Sequence, residues 1–243
     1  MLCPFKSHYM FCPFQEYVSC NLLSRATANK NALTVSTQNI SNETNNIRES
    51  LQIPVFQGQI NPKILQHIND NIKSDILEFK SQMETAANEY SKDFIKQGKP
   101  FTPFDISNAY IVTYNKNGIL SISIIYQQYI GGRSSHIRTT YNYDLSSGES
   151  MPLRSLFKPG VDYRDTLNKL ITQKINENKQ LYSSSSAKQF KGIAEDQPYY
   201  LDDDNLVIFF RFNEIAPATS EIPVMRIPLS ELSNILKPQL LRT

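Results

Sequence analysis

Between Asn61 and Gln97, apolar residues return at every third or fourth position: Ile64, Ile68, Ile72, Ile76, Phe79, Met83, Ala87, Tyr90 and Phe94. That spacing keeps them on one side of an α-helix, so it predicts a single helix over 61–97 with a continuous apolar stripe. Asn61-Pro62 supplies a capping side chain and a proline in the first turn, where the missing N–H costs nothing. Gly98 and Pro100 end it. His67 falls off the stripe and belongs on the surface. A helix this long with one apolar face must cover something flat, which in a small domain means a sheet.

The strand signals lie on both sides of the helix. From Ser24 to Asn46 the chain is rich in Ser, Thr and Asn and reads mostly as linker, with a first strand starting near Leu33, Val35 and Thr37. Leu51, Ile53 and Val55 alternate around Pro54, which predicts an edge strand or a bulge there. After the helix, Tyr110, Val112 and Tyr114 precede Asn117-Gly118, a dipeptide suited to a tight hairpin. Leu120, Ile122, Ile124 and Tyr126 follow, opposed by Ser121 and Ser123. Beyond Gly131-Gly132, Ile137, Thr139, Tyr141, Tyr143 and Leu145 alternate with Arg138, Thr140, Asn142 and Asp144. The pattern is an antiparallel meander with one covered and one wetter face.

In the second half, Asp162 caps a helix whose buried face is Tyr163, Leu167, Leu170, Ile171 and Ile175. Phe190 and Ile193 suggest another short helix. Tyr199-Tyr200-Leu201, an acidic turn and the run from Leu206 to Phe212 form a hairpin whose second strand is apolar on both faces and therefore central. Residues 222–227 give a last strand, and Leu229, Leu232, Ile235 and Leu236 a closing helix ended by Pro238. The fold class is α+β: two small antiparallel-sheet subdomains in tandem, the first covered by the long helix and the second by shorter ones. The expected organisation is an unstructured or processed leader or linker (1–32), subdomains at 33–148 and 149–238, and a tail (239–243).

Composition narrows the role. Of 243 residues 40% are hydrophobic and 20% charged, and the 25 basic and 23 acidic residues are interspersed, so no basic field recruits nucleic acid. The thiols Cys3, Cys12 and Cys20 all lie in the first twenty residues, too widely spaced with His8 for a zinc site. No metal or cofactor is expected. Pro13, Gln15 and Glu16 interrupt the leader where an export signal needs an apolar core. Tyr17-Val18-Ser19-Cys20 faintly resembles a lipoprotein box, which makes Cys20 the lipidation candidate. No stretch is long enough for a membrane span, and the strongest, Leu206 to Phe210, fits a buried strand.

Catalytic patterns are missing as well: there is no Gly-x-Ser-x-Gly elbow, no His-Glu-x-x-His helix and no phosphate-cradling loop. Asp202, Asp203, Asp204, Glu214 and Glu221 are glycosidase carboxylates by type. The Asp triplet reads better as a solvated turn, and Glu214, just before Ala216-Pro217, as a carboxylate that fixes a loop together with Pro217. The candidates for ligand contact are Gly131-Gly132 flanked by Tyr129 and Arg133, where backbone and anchors meet, and Tyr199 and Tyr200, which can stack on a sugar ring.

Certain phrases in this order are specific. They are Tyr129-x-Gly131-Gly132, Tyr141-Asn142-Tyr143-Asp144-Leu145 with Ser147-Gly148-Glu149, and Leu153-x-x-Leu156-Phe157-Lys158-Pro159-Gly160-x-Asp162-Tyr163. Phe190-Lys191-Gly192-Ile193, Tyr199-Tyr200-Leu201 and Glu214-Ile215-Ala216-Pro217 followed by Ile222-Pro223 complete them. Together they resemble the RsiV-like bacterial domain of unknown function, found in the extracytoplasmic part of an anti-sigma factor and the non-catalytic N-terminal part of a peptidoglycan deacetylase. The resemblance spans Leu33 to Leu236. It implies a non-enzymatic binding role at the cell envelope, with a lysozyme-like protein or peptidoglycan fragments as partner, and it leaves the oligomeric state open. The family wording glycine-glycine-alanine-histidine-glycine is replaced here by Gly131-Gly132-Arg133-Ser134-Ser135, with His136 displaced. Two other readings stand beside this one: a carbohydrate-active enzyme using Glu214 and one acid of the Asp202-Asp203-Asp204 turn, and a cytoplasmic stand-alone domain.

Overall fold

The long stripe forms a single helix, α1 (Pro62–Lys96), in a computed structural model that describes residues 32–178, 182, 190–210, 215 and 223–241. Asn61 caps it by accepting the Lys63 N–H, and Ile68, Ile72, Ile76 and Ala87 are fully buried. Each of those isoleucines contributes about 2 kcal/mol of transfer free energy. His67 is exposed. The stripe lies on a five-stranded sheet of order β1 (Thr34–Glu43), β2 (Ile47–Gln57), β3 (Phe104–Lys116), β4 (Ile119–Ile130) and β5 (Arg133–Asp144). One pair departs from the all-antiparallel expectation: β2 and β3 run parallel over Ile47–Ser50 and Phe104–Ser107. The helix is the cause. A crossover helix returns the chain in the direction it left, as in any β-helix-β connection.

From Thr34 to Glu43 the stretch rich in Ser, Thr and Asn is strand rather than linker. It pairs with β2 along its whole length without a bulge. β1 is the sheet edge and nearly all of it is exposed, so apolar alternation has nothing to bury and the usual strand signal is absent. β2 is not an edge strand, yet Pro54 lies beyond the last β2–β3 pair, Ser50–Ser107, where no ladder exists on that side to be broken.

Where the ladders end, asparagine side chains replace them. Asn108, itself buried, donates to the Gln52 carbonyl at 2.9 Å and accepts the Gln52 N–H at 2.7 Å. Asn115 does the same for Leu33, and Asn69 of α1 for Phe56. The sheet can therefore splay without orphaning backbone groups.

After β5 come a 3₁₀ turn (Leu153–Leu156), α2 (Tyr163–Glu177) and a three-stranded antiparallel sheet of order β6 (Tyr199–Leu201), β7 (Asn205–Phe209) and β8 (Val224–Pro228). Asp162 caps α2 by accepting the Asp165 N–H, and Leu167, Ile171 and Ile175 are buried. β7 is central, as its two apolar faces require. Two expected helices do not form. Residues 190–194 are irregular, with Ile193 buried and its N–H held by Asn168. The closing helix shortens to one 3₁₀ turn, Leu229–Leu232, and a second, Pro238–Leu241, starts at the proline expected to end it. Leu236 between them is drawn into a bridge with Phe157, and Lys158 N–H bonds the Ile235 carbonyl. Leu240 is buried, so the expected tail is packed at least that far.

The largest surprise is the sheet's second face. Ser121 and Ser123, read as the wetter side, are 0% and 2% exposed. The three-stranded sheet covers them. Ser121 donates to Asn142 at 2.6 Å, Asn142 donates to the Tyr199 carbonyl at 2.9 Å, and Leu201 N–H donates to Ser121 at 3.0 Å. Two large apolar cores result, one under α1 and one between the small sheet and α2, beside a small third cluster of Tyr200, Val207 and Phe209; Tyr114 and Ile119 of the first sheet belong to the second core. No helix among the described residues is long and apolar enough to cross a membrane.

Candidate functional site

β4 and β5 pair from Ile119–Asp144 out to Ile130–Arg133, leaving a loop of only two residues. Gly131 and Gly132 have φ of 56° and 83°, the pair of positive angles that a tight hairpin turn requires and that glycine adopts without strain. The tip is a short arm: β3 pairs with β4 as far as Asp105–Tyr129, so only residues 130–133 reach beyond that ladder. Tyr129 is 42% exposed, Ile137 is 58% exposed, and Gly131, Gly132 and Arg133 are exposed. From Ile119 to Tyr143 the two strands carry Arg133, His136 and Arg138 and no carboxylate. Burial, then the nearby Arg138, lowers the pKa of His136 below its ordinary value. The four hairpin candidates are thus brought together.

Tyr199 and Tyr200 are not part of that surface. Tyr199 is 2% exposed and donates its hydroxyl to the Met151 carbonyl at 2.7 Å, while burial pushes its pKa upward. Tyr200 is 5% exposed and packs on Phe209, with Arg138 over both rings at 5.5 and 5.8 Å from their centroids. Neither offers a face to a sugar, which corrects their place among the ligand-contact candidates. They face opposite ways into the two layers that sandwich the small sheet.

Of the acidic triplet, Asp202 accepts the backbone N–H groups of Asp204 and Asn205 and pairs with Arg226, so it organises the turn. Asp203 is exposed and lies 3.2 Å from Lys116. Glu214, Pro217 and Cys20 lie outside the described residues.

A feature that the sequence did not mark lies between the β1–β2 turn and the middle of α1. A cleft of about 570 Å³ is lined by Thr44, Asn45, Asn46, Ser81, Glu84, Thr85 and Asn88. Thr44 holds its turn by accepting the N–H groups of Asn46 and Ile47, and Asn46 donates to Asn88 at 2.8 Å, tying turn to helix. Lys80 sits between Glu84 at 2.7 Å and the buried Glu49 at 3.2 Å. Polar residues at helical spacing usually mean a solvated face, and only the fold brings the turn opposite them. No group of three or more His, Cys, Asp and Glu among the described residues is placed to hold a metal ion.

Two family models match the chain in succession: the one described as Deacetylase PdaC over residues 40–133, and the protein family of unknown function DUF3298 over 154–230. Among solved structures, a DUF3298 family member from Bacteroides fragilis superposes with a TM-score of 0.67 at 17% identity, covering 86% of this chain and 95% of its own. Another from Pseudomonas aeruginosa gives 0.56 at 18% identity, with 86% and 94% covered. At such identities the likeness concerns the fold. No curated protein matches the chain significantly. A PdaC-like segment followed by a DUF3298 segment, on a fold shared with DUF3298 proteins, bears out the resemblance of this chain to the RsiV-like domain of unknown function.

Proposed function

We propose that the chain is a non-enzymatic binding domain of the bacterial cell envelope, and that its β4–β5 arm docks a lysozyme-like protein. The observation that carries this reading is the arm itself: a two-residue turn on long paired strands, presenting Tyr129, Arg133 and Ile137 to solvent where burial would be expected. Tyr and Arg are the side chains that most often anchor interfaces. A hairpin end with cationic residues and no carboxylate of its own, Asp105 of β3 standing opposite Tyr129, also suits a cleft flanked by two carboxylates, which is how a glycoside hydrolase cuts its substrate. The PdaC-like match agrees with an extracytoplasmic setting.

The test is calorimetric titration of the full chain with a lysozyme and, separately, with soluble peptidoglycan fragments. Arg133→Ala and Tyr129→Ala should each weaken lysozyme binding by about tenfold or more, roughly 1.4 kcal/mol, with an unchanged melting temperature. Binding that ignores both substitutions, or no binding of wild type, overturns the reading.

A further inference from the structure

We infer that the cleft between the β1–β2 turn and α1 is a binding site for an uncharged saccharide, separate from the β4–β5 arm. All seven residues that line it carry hydrogen-bonding side chains, and none is aliphatic or aromatic. Three are amides, each able both to donate and to accept, and three are hydroxyls, of which Thr44 and Thr85 already donate to the Ile47 and Ser81 carbonyls and so offer acceptors. Sugar hydroxyls have the same double character, so such a wall meets them in either direction. The volume, about 570 Å³, lies within the usual range for small-ligand sites and accommodates one or two sugar rings.

Other ligand chemistries fit less well. A phosphate or carboxylate would face Glu84 with no cation in the lining, because Lys80 is already shared between Glu84 and Glu49. A metal ion would find one carboxylate. A nucleobase or an apolar ligand would find no ring and no aliphatic wall.

The site is also preformed. The Thr44 side chain locks the turn, Asn46 and Asn88 clamp it to the helix, and Lys80 bridging Glu84 to buried Glu49 fixes where that carboxylate stands. Donors and acceptors held in place before binding lose less entropy when the ligand arrives.

The experiment is an amide NMR titration of the full chain with N,N′-diacetylchitobiose, cellobiose and maltose, and with inorganic phosphate, into the millimolar range. The expected result is saturable shift changes at residues 44–46 and 81–88 with at least one disaccharide and none with phosphate. Ser81→Leu fills the cleft from an exposed helix position where leucine is a good helix former, so folding is retained. It should weaken sugar binding by about tenfold or more at an unchanged melting temperature. Asn88→Ala, which frees the turn, is the second variant and should weaken binding too. No shifts with any of the three sugars, equal affinity in Ser81→Leu, or the same shifts with phosphate overturns the inference. Because Ser81→Leu leaves the β4–β5 arm untouched, its lysozyme titration should match wild type, and Arg133→Ala should leave the sugar titration unchanged. The two sites therefore stand or fall separately.

Discussion

Asn108 shows how one side chain can stand in for a missing strand. It gives Gln52 both the donor and the acceptor that β3 no longer offers once the two strands part. Asn108→Ala should therefore lower the free energy of unfolding by about 1–2 kcal/mol, because a part-buried N–H and carbonyl of Gln52 lose partners together. Chemical denaturation would register it as a lower midpoint with an unchanged slope, and a midpoint equal to wild type would show the staple to be dispensable. Nothing in the sequence marks Asn108, Asn115 or Asn69 for this task. An asparagine among β-branched residues reads as a weak strand position, and its purpose appears only where the ladders diverge. Tyr199 and Tyr200 mislead in the opposite sense: adjacent tyrosines at a strand start look like a stacking platform until both sides of that strand prove to be covered.

On the scale of elements, α1 and the hairpins were legible because their signals are local. Asn61, Pro62 and Gly98 punctuate the helix, and Asn117-Gly118 joins β3 to β4 through a two-residue loop. β1 was not legible beyond its first residues, since an edge strand exposed along most of its length needs no apolar alternation. The tyrosines of β4 and β5 under α1 make a pH prediction. Burial pushes Tyr126 up to about 12 and also raises Tyr141 and Tyr143; Tyr141 donates to Asp75 at 2.8 Å. The unfolded hydroxyl titrates near 10, so the fold favours the neutral form; this stability is complete below about pH 10 and declines from there through about 12 as the unfolded chain loses protons first. Phenolate absorbance should rise in two stages, the later one coinciding with loss of far-ultraviolet circular dichroism. A single rise near pH 10 with the fold intact would contradict it. At the arm's tip, replacing both glycines with valine should cost about 1–2 kcal/mol per residue, measured as a lower melting temperature, while Gly131→Asn is tolerated.

For the whole molecule, the sequence foretold two sheets and the helices on them, but not how they join. The contacts of Ser121 and Asn142 with β6 span long sequence separations, and no local pattern reports a polar strand face that is buried by a second sheet. The expected consequence is cooperativity: the two cores share a hydrogen-bonded seam, and Tyr114 and Ile119 of the first sheet pack in the second core. Thermal unfolding should be one transition, with near- and far-ultraviolet signals coincident. Asn142→Leu should shift that transition as a whole, and two resolved steps in the wild type would refute the coupling.

The parallel β2–β3 pair also bears on synthesis. As the chain leaves the ribosome, α1 emerges before β3, β4 and β5, the strands that complete the surface beneath it. At about 5–20 residues per second, its isoleucine stripe spends seconds without a lasting cover. For that interval the nascent chain presents the kind of apolar surface that chaperones cover.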